Sequence, residues 1–139
     1  EVMTAAGVNP VSSPEELYQM CDIISLHIPA TPETKASINY SLVSKMPKGG
    51  VLVNTARKEV IDEEGLITLM QERTDLKYMT DVMPAADAKF RTLFEGRYFA
   101  TPKKMGAQTA EANINAGIAA AKQIVDYIQN GNTRFQVNK

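Results

Sequence analysis

Short apolar runs alternate with amphipathic stretches along most of this chain. In Asp22-Ile23-Ile24-Ser25-Leu26-His27-Ile28-Pro29 apolar residues fall at odd and even positions alike, which predicts a strand covered on both faces. Pro29 lacks the N–H a ladder needs and ends the run. Three further runs read as strands, being rich in β-branched or aromatic residues. They are Val51-Leu52-Val53 after Gly49-Gly50, Lys77-Tyr78-Met79-Thr80-Asp81-Val82, and Arg97-Tyr98-Phe99-Ala100.

Helical periods fill the intervals. Ser13-Pro14-Glu15-Glu16 predicts a helix start, with Ser13 as cap, Pro14 in the first turn and Glu16 completing a capping box; that helix should end near Met20. A short helix opens at Asn39-Tyr40-Ser41 and carries Leu42, Val43 and Met46, and Pro47-Lys48-Gly49-Gly50 turns it into the next strand. Asp62-Glu63-Glu64-Gly65 opens another, with Leu66, Leu69 and Met70 on one face. Gly65 should weaken it by up to about 1 kcal/mol. The stretch after Val82, with Pro84 and three alanines, reads as a loop. A long helix spans about 109–130, with Ile114, Ile118, Ala121, Val125 and Ile128 spaced four, three, four and three apart and Gly131 as its stop. The tail from Arg134 can pair as a last strand or pack elsewhere.

Strands alternating with helices imply a parallel α/β sheet. Ligands of such sheets sit beyond the carboxyl ends of the strands. Four strand ends carry His27, residues 55–57, Asp81 and Lys103, so these converge on one edge. At the second end Asn54, Thr55 and Ala56 are small enough for close backbone approach, and Arg57 presents a planar five-donor fork suited to an anion. Each residue alone has a bland reading, a surface arginine or a structural histidine; the convergence is what argues for a site.

Composition narrows the chemistry. With 139 residues and 44% hydrophobic content the chain can bury one ordinary core. The net charge of −1 and the lack of any basic run longer than Lys103-Lys104 argue against nucleic acid and anionic membranes as partners. One cysteine and one histidine leave no disulfide framework and no paired-histidine metal motif, so no metal is expected. No apolar run approaches the length of a membrane span, and a cytoplasmic setting is the default.

In chain order, Cys21-Asp22-Ile23-Ile24-Ser25-Leu26-His27-Ile28-Pro29, Asn54-Thr55-Ala56-Arg57, Asp81-Val82 and Thr101-Pro102 resemble successive signatures of the D-isomer-specific 2-hydroxyacid dehydrogenases. The resemblance covers nearly the whole chain. It implies a partial Rossmann-type, parallel-sheet domain whose cofactor is NAD, with residues 1–139 as its C-terminal portion and about 132–139 as a tail returning to a substrate domain. The catalytic pair it implies is Arg57, holding the substrate's carboxylate and carbonyl, and Lys103 as base. The cofactor-binding positions it implies are His27, Pro29, Thr55, Ala56, Arg57, Asp81, Lys103 and Gly106. The implied partners are a phosphorylated 2-hydroxy acid, whose oxidation feeds serine synthesis, the N-terminal part of the same enzyme, and a second copy in a dimer.

Three positions depart from the family pattern. Lys103 stands where a histidine base is usual, Ala86 where an assisting glutamate aligns, and Lys58 where a glycine follows the arginine. The first two changes belong together, because a carboxylate beside a lysine would raise an already high pKa and spoil the base. Lys104 is the rival base. No Gly-rich strand-to-helix turn precedes His27. A catalytically silent NAD-binding or corepressor-like protein, another D-2-hydroxyacid dehydrogenase, and an assembly module pairing through the strand at 22–28 remain alternatives.

Overall fold

A computed structural model of the chain describes residues 7–104 and 109–138. The chain divides into two compact units, Glu1–Lys104 and Met105–Lys139. In the first, the order is α1 (Pro14–Met20), β1 (Ile23–Leu26), α2 (Tyr40–Val43), β2 (Val51–Asn54), a 3-10 turn (Lys58–Val60), α3 (Glu63–Glu72), β3 (Lys77–Thr80), α4 (Asp87–Leu93) and β4 (Tyr98–Ala100). The second unit holds α5 (Ala110–Asn130).

The helix starts follow local chemistry. Ser13 accepts from the Glu16 N–H at 3.2 Å, Asn39 from Leu42 at 3.0 Å and Asp62 from Gly65 at 3.1 Å, each satisfying a donor that the helix leaves orphaned. The capping box at α1 is displaced by one residue. Glu16 reaches back to the Ser12 N–H and hydroxyl, at 2.9 and 2.7 Å, instead of to Ser13. The loop expected after Val82 gives way at Asp87 to α4, which is fastened by buried Phe90 and by Phe94 just past its end. Their spacing of four residues was the available signal.

The four strands lie in sequence order and all pair in parallel. β1 alternates exposed and buried positions, so the expectation of cover on both faces fails within this unit. Ile24, Leu26, Leu52, Tyr78 and Ala100 are buried with Val43, Leu66, Leu69, Met70 and Phe90. On the opposite face Ile23 remains 66% exposed and Phe99 57%. The strand run therefore carried apolar residues on two faces, but α2, α3 and α4 bury only one of them. Pro29 is also not the strand's terminator, since β1 stops at Leu26.

In the second unit Thr109 accepts from the Ala112 N–H at 3.0 Å to start α5. Gly131 ends it in the left-handed region, φ 66°, where its N–H reaches Tyr127 O at 2.9 Å. Residues 131–138 form no strand, so the tail does not pair as one. Instead Phe135 lines a groove with Ile124 and Tyr127 of α5.

Candidate functional site

The register of the sheet fixes where the site lies. Leu26 pairs with Asn54, Asn54 with Thr80, and Thr80 with Ala100. This row is the last of the sheet, so His27, Thr55, Asp81 and Thr101 are each the first residue beyond it. Backbone bonds continue one step further, from Asp81 N–H to Asn54 O at 3.2 Å and from Thr101 N–H to Thr80 O at 3.0 Å.

Two buried polar side chains shape this edge. Asn54, fully buried, donates from Nδ2 to Arg57 O at 2.9 Å and accepts from the Ala56 N–H at 3.0 Å. One amide thus folds residues 55–57 back over the end of β2 in an Asx-type turn. Thr80, 4% exposed, bonds through its hydroxyl to Asn54 O at 2.9 Å and accepts from the Val82 N–H at 3.0 Å. It does for β3 what Asn54 does for β2. Neither was singled out in the sequence as an organiser of the edge. The signal was a polar residue closing an otherwise apolar strand, where an unpaired amide or hydroxyl would be costly.

A cleft of about 500 Å³ opens there, lined by His27, Ile28, Pro29, Ala30, Thr55, Ala56 and Arg57. It unites five of the expected site residues: His27, Pro29, Thr55, Ala56 and Arg57. Arg57 is exposed, with extended backbone, and bonds Ala56 O from one terminal nitrogen at 3.1 Å. Most of its donors are left for a ligand. The His27 Nε2 lies 3.0 Å from the Ser25 hydroxyl, two residues back on the same face of the strand. Asp81 is the first residue past β3 and Lys103 the third past β4, and neither lines this cleft. Lys103 is exposed, and its carbonyl accepts from the Thr101 hydroxyl at 2.8 Å. Lys104, its rival, is half-buried. Gly106 falls outside the described residues. Among the described residues no group of three metal-binding side chains converges.

Ligands of open parallel sheets sit beyond the carboxyl ends of the strands, which is where this cleft lies. The chain belongs to the D-isomer specific 2-hydroxyacid dehydrogenase family, whose NAD binding domain matches residues 1–102. It is 34% identical over 134 residues to D-3-phosphoglycerate dehydrogenase of Haemophilus influenzae, covering 92% of this chain and 32% of that protein. Among solved structures it is similar to the NAD+-bound 3-phosphoglycerate dehydrogenase of Entamoeba histolytica, with 58% identity and a TM-score of 0.79 over 93% of this chain and 42% of that one. A more distant likeness is D-lactate dehydrogenase of Escherichia coli, at 26% identity and a TM-score of 0.69. The chain thus spans about a third of the Haemophilus relative's length.

Proposed function

We propose that this chain forms the nicotinamide and carboxylate edge of an NAD-dependent D-3-phosphoglycerate dehydrogenase, oxidising 3-phosphoglycerate to 3-phosphohydroxypyruvate. The observation that carries the reading is the common last row of the sheet, which sets residues 27, 55, 81 and 101 side by side. The 58% identity to a phosphoglycerate dehydrogenase supports this substrate over other 2-hydroxy acids.

The cleft fits one end of NAD. Ala30, Thr55 and Ala56 leave room for a flat ring, and the turn folded by Asn54 holds them there. The Gly-rich turn that cradles a pyrophosphate is not in this sequence, so the residues present would hold the nicotinamide half. When bound, NAD supplies the hydride acceptor. Arg57 binds the substrate carboxylate bidentately and fixes the carbon that is oxidised. Lys103 takes the hydroxyl proton on its Nζ, which requires it to be neutral at that moment. The phosphate of the substrate lies beyond the cleft.

Turnover of 3-phosphoglycerate by the full-length protein, followed by absorbance of reduced nicotinamide, tests the reading. Activity with D-lactate and none with 3-phosphoglycerate overturns the substrate. Lys103→Met is expected to lose turnover while Lys104→Met keeps it; the reverse result makes Lys104 the base. A second reading, a silent NAD-binding protein, draws on the exposure of Lys103 and on Ala86 standing in place of a carboxylate. Tight NADH binding with no turnover of any 2-hydroxy acid establishes that one instead.

A further inference from the structure

We infer that Glu63 is a positioning residue for the site, holding the loop that follows Asp81 at a fixed distance from the segment that carries Arg57. The inference rests on the reading of Arg57 and Asp81 given above. Glu63 is the first residue of α3, and both of its carboxylate oxygens are engaged across to another loop. Oε1 accepts from the Ala85 N–H at 2.9 Å and Oε2 from the Ala86 N–H at 2.8 Å. One anion thus spans two consecutive amides, a charge-assisted pair of bonds.

The recipient loop needs such a partner. α4 begins at Asp87, and the side chain of its cap residue Ala86 bonds nothing; the two amides just before the helix, of Ala85 and Ala86, find their acceptor in the Glu63 carboxylate, and a negative charge is favoured at that end. The other end of the loop is fixed by the Thr80 hydroxyl, which accepts from the Val82 N–H at 3.0 Å. Asp81 lies between Thr80 and this loop, so the two anchors together set where it sits. Glu63 is itself held firmly. The Ile38–Ile61 bridge, with Ile38 N–H to Val60 O and Asp62 N–H to Ile38 O both at 3.0 Å, fixes the chain running from Arg57 into α3. The clamp therefore references the Asp81 loop to the exit of β2.

The rest of α4 does not depend on the clamp. Phe90 and Phe94 are buried, and Asp87 accepts from the Tyr98 hydroxyl at 2.6 Å. Losing the Glu63 carboxylate should loosen residues 82–86 and leave the helix in place.

The test is a double-mutant cycle in the full-length protein, read in NADH affinity so that it stays measurable where turnover is slow. Glu63→Ala is expected to weaken NADH about tenfold alone and less than about twofold in an Asp81→Asn background. Glu63→Gln keeps one acceptor and should recover part of the loss; it also carries the cycle if Glu63→Ala does not fold. Amide exchange at residues 82–86 should speed up in Glu63→Ala with Tm nearly unchanged. Unchanged exchange, unchanged affinity, or the same loss in both backgrounds overturns the inference. If the wild type neither binds NADH nor turns over, the functional reading falls and this inference with it. A wild type that does both, beside an indifferent Glu63→Ala, overturns the inference alone.

Discussion

Arg57 leaves β2 with φ −146° and ψ 145°, an unstrained backbone, and its guanidinium bonds the neighbouring Ala56 carbonyl. Its side chain supports little of the fold. Arg57→Ala in the full-length protein is therefore expected to leave Tm nearly unchanged while kcat/KM falls by about 2–5 kcal/mol of transition-state binding. A lowered Tm with normal turnover would make it a structural arginine. Gly65 shows the opposite relation. Helix propensity alone makes it a weak point, yet a Cβ there would collide with Asp62 Oδ2 and lie 3.3 Å from the Tyr40 backbone nitrogen. Gly65→Ala must push the Asp62 carboxylate off its cap, forfeiting about 0.5–2 kcal/mol against a propensity gain of up to about 1. We expect Gly65→Ala to lower Tm in the wild type and to raise it in an Asp62→Ala background, where the cap is already gone.

Between elements, the amino edge of the sheet is fastened by two arginines. Arg73, at the end of α3, donates to the carbonyls of Ser44, Met46 and Pro47 at 3.1–3.3 Å and to both oxygens of Asp75 at 2.9 and 2.6 Å. Asp75 also accepts from the Gly49 N–H at 2.7 Å, at the left-handed turn that feeds β2. Arg97 closes the last turn of α3 through Met70 O at 3.0 Å and lies over the Phe94 ring. Arg73→Met breaks five such bonds and should cost about 2–3 kcal/mol in urea unfolding. The Arg73 guanidinium, aided by the Gly49 amide, holds the Asp75 carboxyl well below the usual carboxylate range. A group depressed in the folded state stabilises above its unfolded value of about 4, and that stability is lost as the pH falls further. Asp87 shifts the same way beside Arg91 and Tyr98. The wild type should therefore lose more stability than Asp75→Asn between about pH 6 and pH 3. Equal losses would show that the clamp is not titrating.

For the whole molecule, the sheet edge offers the cleft lined by residues 27–30 and 55–57, and the sequence carries no Gly-rich phosphate turn. The 139 residues alone should accordingly bind NAD weakly, because the pyrophosphate has neither a helix N-terminus nor glycine backbone to rest on. Calorimetry on this chain is expected to show no tight site. A micromolar constant would mean that the cleft at residues 27–30 and 55–57 suffices for the dinucleotide.

The order of local patterns determined much of this protein. Ser13, Asn39, Asp62 and Thr109 start their helices because a short polar side chain reaches its own backbone two or three residues on, a purely local bond. The alternation of strand and helix likewise determined a parallel sheet with residues 27, 55, 81 and 101 at one edge, since parallel strands all end the same way. Tertiary structure decided what depends on partners distant in sequence. Which face of β1 is covered follows from where α2, α3 and α4 pack, and a run apolar on both sides cannot state that. The arginine clamp follows from carbonyls 26 to 29 residues away, and the hold of Glu63 on the Asp81 loop from amides 22 and 23 residues on. Those bonds form only after the chain has folded back on itself, so no local period carries them.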